Sequence, residues 1–238
     1  MIQNPNTTAK VRFHHLALAS GLIAVMSCTC KKNGFKNLDQ GEIHYNITYA
    51  GSTGSISNEL KPKTLIITFK HDKMLFEILS AIGNAGIINI SNPEDGIFDS
   101  YLSLFTLKYY YEGMPGEILP GFEKMEGMEI HKTSKTAVIC GLTCRNAEVT
   151  FPSDRNKIYN IWYTREINAK NPNIANPYRD IDGVLMSFFL FLGNTEVHFE
   201  AESIYKRSVP DEAFQRKKNY DRVSRDDINK FINKMISL

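Results

Sequence analysis

The stretch Gly41–Ala50, GEIHYNITYA, decides how the rest of this 238-residue chain is read. Ile43, Tyr45, Ile47 and Tyr49 alternate with His44, Asn46, Thr48 and Ala50. Successive side chains of a strand point to opposite faces, so a period of two predicts an extended strand with one apolar side. Working outward, Leu65–Phe69, Gly86–Ile90 and Ile97–Tyr111 are rich in β-branched and aromatic residues and read as further strands. So do Ala137–Cys144, Ala147–Phe151, Tyr159–Ile167, Gly183–Leu192 and Glu196–Tyr205. Gly51–Ser55 and Asn92–Gly96 carry turn chemistry between them. Glu112–Met128, EGMPGEILPGFEKMEGM, is punctuated by glycine and proline and reads as a long mobile loop. Asn168–Tyr178 is a second loop by the same signs.

Only the C-terminus reads as helix. Ser224 with Asp227 three residues on makes a capping-box-like start, with Asp in place of the preferred Glu. Ile228, Phe231, Ile232, Met235 and Ile236 then recur at helical spacing, a stripe expected to pack on the sheet. The fold expected is mainly β (α+β), with roughly ten antiparallel strands. They would form a curved antiparallel sheet or half-open β-barrel with a C-terminal helix, in a single domain over residues 41–238.

The first 40 residues read differently. Lys10 and Arg12 precede Leu16–Met26, an uncharged run of 11 residues. A membrane-spanning helix needs about 20 apolar residues, whereas a signal-peptide core needs roughly 7–15. Val25-Met26-Ser27-Cys28 has the form of a bacterial lipobox, with an aliphatic residue, a variable one, a small one and the acceptor cysteine. Residues 1–27 are therefore expected to be a cleaved lipoprotein signal peptide, and Cys28 the lipidated first residue of the mature chain. Acylation of the new amino terminus would add a further chain, and more than one chain is needed for firm anchoring. Residues 28–40 read as a flexible tether, with Cys30 a spare thiol or, as the lesser alternative, a second lipid acceptor. Thr29 is not acidic and no acidic run follows. The expected place is thus the cell envelope, on the outer membrane facing the periplasm.

Beyond Cys28 there are 26 basic and 26 acidic residues. That balance argues against a nucleic-acid partner. Lys206–Lys234 holds nine basic and five acidic residues, which reads as a solvated face before it reads as a headgroup-binding one.

The order of four segments carries a resemblance. They are TSKTAVICGLTCRNAEVTF, IYNIWYTREI, DGVLMSFFLFLGNTEVHFEAESI and VPDEAFQRKKNYDRVSRDDI, which follow the opening strand. With Gly141–Cys144, Trp162-Tyr163-Thr164, and Phe214 followed by Tyr220 and Val223, the chain resembles Bacteroidetes-type envelope lipoproteins of unassigned activity with a LolA/LolB-like fold. The resemblance covers most of residues 41–238 through short, scattered matches. It implies a half-open antiparallel barrel whose concave side holds acyl chains in characterised relatives. It brings no catalytic residue and no ligand residue.

The residues themselves offer little chemistry. Cys140 and Cys144 are the candidate disulfide in an exported protein. Four residues of straight strand span about 13 Å, against about 4.4–6.8 Å between bridged Cα atoms. The bridge thus requires a bend at Gly141, and two small buried thiols are the plainer reading. His44, His71, His131 and His198 are scattered singly, with no metal-ligand spacing. No nucleophile elbow, phosphate loop or dinucleotide motif is present, so neither catalytic residues nor a cofactor are expected. Tyr109, Tyr111 and Phe189 are the candidate cavity-lining aromatics, with ordinary core packing as the alternative. Two functions stay open. One is a non-enzymatic, lipid-anchored protein binding an acyl chain, a lipid or a lipoprotein segment. The other is an envelope interaction or structural lipoprotein with a filled core and a protein partner.

Overall fold

A computed structural model of the protein describes residues 34–50, 61–80, 85–193 and 195–237, with side chains to residue 234. The signal-peptide and lipobox residues, Cys28, Cys30 and the first tether residues lie outside the described residues, as do the side chains of Met235 and Ile236. The strands are β1 (Gln40–Ala50), β2 (Thr64–Lys70), β3 (Lys73–Leu79), β4 (Ala85–Asn92), β5 (Ile97–Leu104) and β6 (Leu107–Glu112). They continue as β7 (Glu129–Ile139), β8 (Leu142–Phe151), β9 (Asp154–Thr164), β10 (Val184–Leu192), β11 (Thr195–Tyr205) and β12 (Asp221–Arg222), before helix α1 (Arg225–Ser237).

All twelve strands join one curved, open sheet in the order β12-β6-β5-β4-β3-β2-β1-β11-β10-β9-β8-β7. Every pairing between named strands is antiparallel except the short β12–β6 contact. The register explains the inner face. Tyr109, Leu102, Ile87, Ile78, Leu65, Tyr45 and Ala201 sit opposite one another across seven consecutive strands. The alternation first seen in Gly41–Ala50 is thus one rung of a ladder running from β6 to β11. Directly opposed apolar pairs of this kind are the stabilising unit of a sheet.

Several sequence expectations need correction. Ala137–Cys144 is not one strand. Cys140 and Gly141 have φ of 50° and 76°, which closes a two-residue hairpin between β7 and β8. Positive φ at both central residues matches the twist of the flanking strands, and glycine at the second position carries it without a Cβ clash. Lys73–Leu79 and Leu107–Glu112 are separate strands, reached through turns in which His71 and Phe105 take φ of 55°. Residues 34–39, expected to be part of a flexible tether, are held against the sheet. Leu38 is buried and bridges Ile167, and the Asn37 N–H donates to the Glu166 carbonyl at 2.6 Å, so residues 34–39 already belong to the folded body.

The largest correction concerns the loop at 112–128. Leu119, Phe122 and Met125 are buried in the main core, and Glu123–Met125 forms a short 3-10 turn. Loop 168–183 lies beside it, with the Leu119 N–H donating to the Ala175 carbonyl at 3.3 Å. The reason lies in the sheet. β9 pairs with β10 only through Trp162, Tyr163 and Thr164, and then the two strands part. The groups this exposes on β10 are met by the loops. The Tyr178 hydroxyl donates to the Phe189 carbonyl at 2.5 Å, and the Phe191 N–H donates to Met125 Sδ at 3.4 Å. Buried backbone groups left unpaired are costly, so the loops are held in place by the gap they fill. The β7–β8 hairpin curls over the same side, where Cys140 Sγ donates to the Ala201 carbonyl of β11 at 3.3 Å.

At the other end α1 covers the inner face, with Ile228 and Ile232 packed on Ile87 and Leu102. Its cap is as expected, for the Asp227 N–H donates to Ser224 Oγ at 3.2 Å. The outer face of β3–β5 is covered by residues 209–220 through Val209 and Phe214. Arg216 crosses from that segment and donates twice to the fully buried Asp99, at 2.8 and 3.2 Å.

Candidate functional site

The inner face offers little room. Leu119, Phe122 and Tyr178 descend from the two loops onto Ile67, Phe76 and Phe188, leaving a cavity of about 60 Å³. Asn89, Ser91, Asn173 and Asn176 are the polar residues of its lining. Ligand sites for small molecules typically enclose about 300–1,000 Å³.

The sequence-predicted residues are not brought together there. Tyr109 and Tyr111 do lie on the inner-face side of β6, but Tyr109 stacks on Phe231 of α1, with centroids 4.6 Å apart and an interplanar angle of 15°. Tyr111 donates its hydroxyl to Glu117 at 2.8 Å. Phe189 stacks on Tyr159 at 4.0 Å. None of the three borders the cavity; Phe188 does, because adjacent strand residues face opposite ways. No disulfide joins Cys140 and Cys144. The hairpin supplies the bend the bridge needed, but the two thiols are spent on different carbonyls, Cys144 reaching that of Leu142 at 3.6 Å. Burial pushes the Cys144 thiol up to about 11, so it stays protonated and unreactive near neutral pH.

A larger opening lies on the surface, where a cleft of about 570 Å³ is bounded by the 117–130 segment, the 177–180 turn and the start of α1. Ile118, Met128, Ile130 and Pro177 supply its apolar wall. Glu117, Glu126, Arg179, Asp180 and Arg225 supply its charge. Glu117 accepts from the Met114 N–H at 2.9 Å, from Tyr111, and from Arg225. Burial alone would raise its pKa, but those three donors hold it below the usual carboxylate range. Glu117 also raises the Arg225 pKa against the opposing effect of burial. The pair is 108 residues apart in sequence, which is why no local motif announced it. Arg179 is exposed and donates to the Gly116 carbonyl at 3.2 Å. Among the described ion pairs it has no carboxylate partner, which leaves it the cation on the rim best placed to meet an anionic group.

A second charged group sits on β9 and β11. Glu196 accepts from Lys157 at 2.8 Å and Tyr159 at 3.1 Å, and lies 2.7 Å from His198 Nε2. Those contacts answer its charge within the cluster. Among the described residues no group of three His, Cys, Asp or Glu could hold a metal ion, and no helix is long and apolar enough to cross a membrane.

The class these features define is an open, mainly antiparallel β-sheet protein with a loop-filled inner face and an amphipathic surface cleft. No protein-family model matches the chain, and no curated protein matches it. Among solved structures it is similar to that of PNGF-II in its C2 space group. The TM-score is 0.50 at 17% identity, over 82% of this chain and 32% of the other. At that identity the likeness is one of fold alone, and this chain spans about a third of the length of that neighbour.

Proposed function

We propose that this chain is a lipid-anchored envelope protein, tied to the outer membrane through Cys28, that works by non-covalent binding at its surface. The observation that carries the choice is the filled inner face. A cavity of about 60 Å³ beneath Leu119, Phe122 and Tyr178 takes no acyl chain, whereas the 570 Å³ cleft is open to a partner. Met128 in the cleft wall favours such a role, since a methionine adapts to varied apolar groups. The anchor rests on the lipobox at Val25–Cys28 and on the positive, short apolar segment before it.

A second reading is the acyl-binding one that the LolA/LolB-like resemblance implies. The apolar walls of the inner cavity favour it, but both loops would have to swing out and expose Leu119, Phe122 and Met125 to water. Native mass spectrometry of the mature protein, purified from its own envelope without the anchor, separates the two. The surface-binding reading expects the mass of the bare chain; a stoichiometric co-purifying lipid would sink it in favour of the carrier. Acyl labelling tests the anchor independently. Label should vanish in Cys28→Ala, and label that persists there refutes Cys28 as the acceptor.

A further inference from the structure

The inner cavity is walled mostly by apolar groups, and such cavities stay dry. One corner of this one differs. Asn89 and Ser91 lie two apart on β4 and so face the same side, towards loop 168–183. Ser91 is only 6% exposed, and its Oγ has no hydrogen-bond partner among the described residues. Buried hydroxyls are almost always bonded, to protein or to ordered water. Across the corner, Asn173 spends its amide nitrogen on the Ile181 and Gly183 carbonyls at 2.8 and 2.9 Å. Its Oδ1 accepts once, from Asn176 at 3.0 Å, and Asn89 Oδ1 accepts from Ser100 at 2.7 Å. Each amide oxygen has a second lone pair to offer.

We infer that this corner is a hydration site, where a small cluster of ordered waters satisfies Ser91 Oγ and links β4 to loop 168–183. The dimensions fit. A buried water requires roughly 10–15 Å³ of free space, and its share of the liquid is about 30 Å³, so the cavity of about 60 Å³ takes roughly two to four. Polar partners are present in the same lining, since a buried water makes about three hydrogen bonds and Ser91 Oγ, Asn89 Oδ1 and Asn173 Oδ1 each keep bonding capacity. The waters would then act as a polar latch. They would join the sheet to the loop that closes its inner face.

The inference stands apart from the anchor and the surface cleft, and its test is separate. A crystal structure of the whole mature chain, at a resolution that shows water, should place density within hydrogen-bond distance of Ser91 Oγ. Ser91→Ala supplies the energetic half. If water bridges the hydroxyl, deleting it breaks that bridge and the Tm falls by about 2–4 °C. If the hydroxyl is dry, deleting it removes a buried unpaired group, and the Tm holds or rises. Absence of density at Ser91 Oγ, or a Tm in Ser91→Ala equal to or above wild type, overturns the proposal.

Discussion

Tyr178 does at one position what a strand does along its length. It lies in a loop, is fully buried, and gives its hydroxyl to the Phe189 carbonyl that the parting of β9 and β10 leaves exposed. Burial pushes its pKa far up, so the donor stays protonated at any ordinary pH. Tyr178→Phe keeps the ring and removes only that donor. Leaving a buried carbonyl unmet costs about 1–3 kcal/mol, which urea unfolding should report as a lower midpoint with an unchanged slope. A midpoint equal to wild type would mean that the carbonyl has another donor. Nothing in NPNIANPY signals this role, because the demand arises in a strand eleven residues later.

Among the elements, the β7–β8 hairpin shows how a single backbone requirement redirects a reading. Ala137–Cys144 is apolar and β-branched, which is the pattern of one continuous strand. The pattern does not distinguish a strand from two strand ends joined by a tight turn. The Cys140-Gly141 pair does, once φ is seen to be positive at both. Gly141→Val places a β-branched residue in the left-handed region, at a cost of about 1–2 kcal/mol, and Gly141→Asn costs less. Thermal unfolding of the two variants should rank them in that order, and equal Tm values would contradict the turn. The loops at 112–128 and 168–183 teach the opposite lesson. Their glycines and prolines keep them out of strands and α-helices, yet Leu119, Phe122 and Met125 are as buried as residues of the core strands. Irregular backbone and buried side chains are independent properties.

For the molecule as a whole, the contact that closes the cleft joins its distant parts. Glu117 in the first loop holds Arg225 at the head of α1, while Tyr111 of β6 donates to the same carboxylate. Its pKa is depressed below the ordinary 4.5, so its contribution to stability is present above that value and is lost as pH falls through the folded pKa. Urea unfolding at pH 7 and pH 3 should therefore show a smaller loss of stability in Glu117→Gln than in wild type. Equal losses would mean that other carboxylates carry the acid sensitivity. The amino-acid sequence by itself determined the β class, the turn at Asn92–Gly96, the capped C-terminal helix and the apolar face of β1, because each follows from local periodicity or local backbone chemistry. Tertiary structure alone decided the twelve-strand order, the splitting of β9 from β10, the loops that fill the inner face and the Glu117–Arg225 pair. Those depend on residues far apart in the chain meeting across a curved sheet, and no pattern confined to neighbouring residues carries that information.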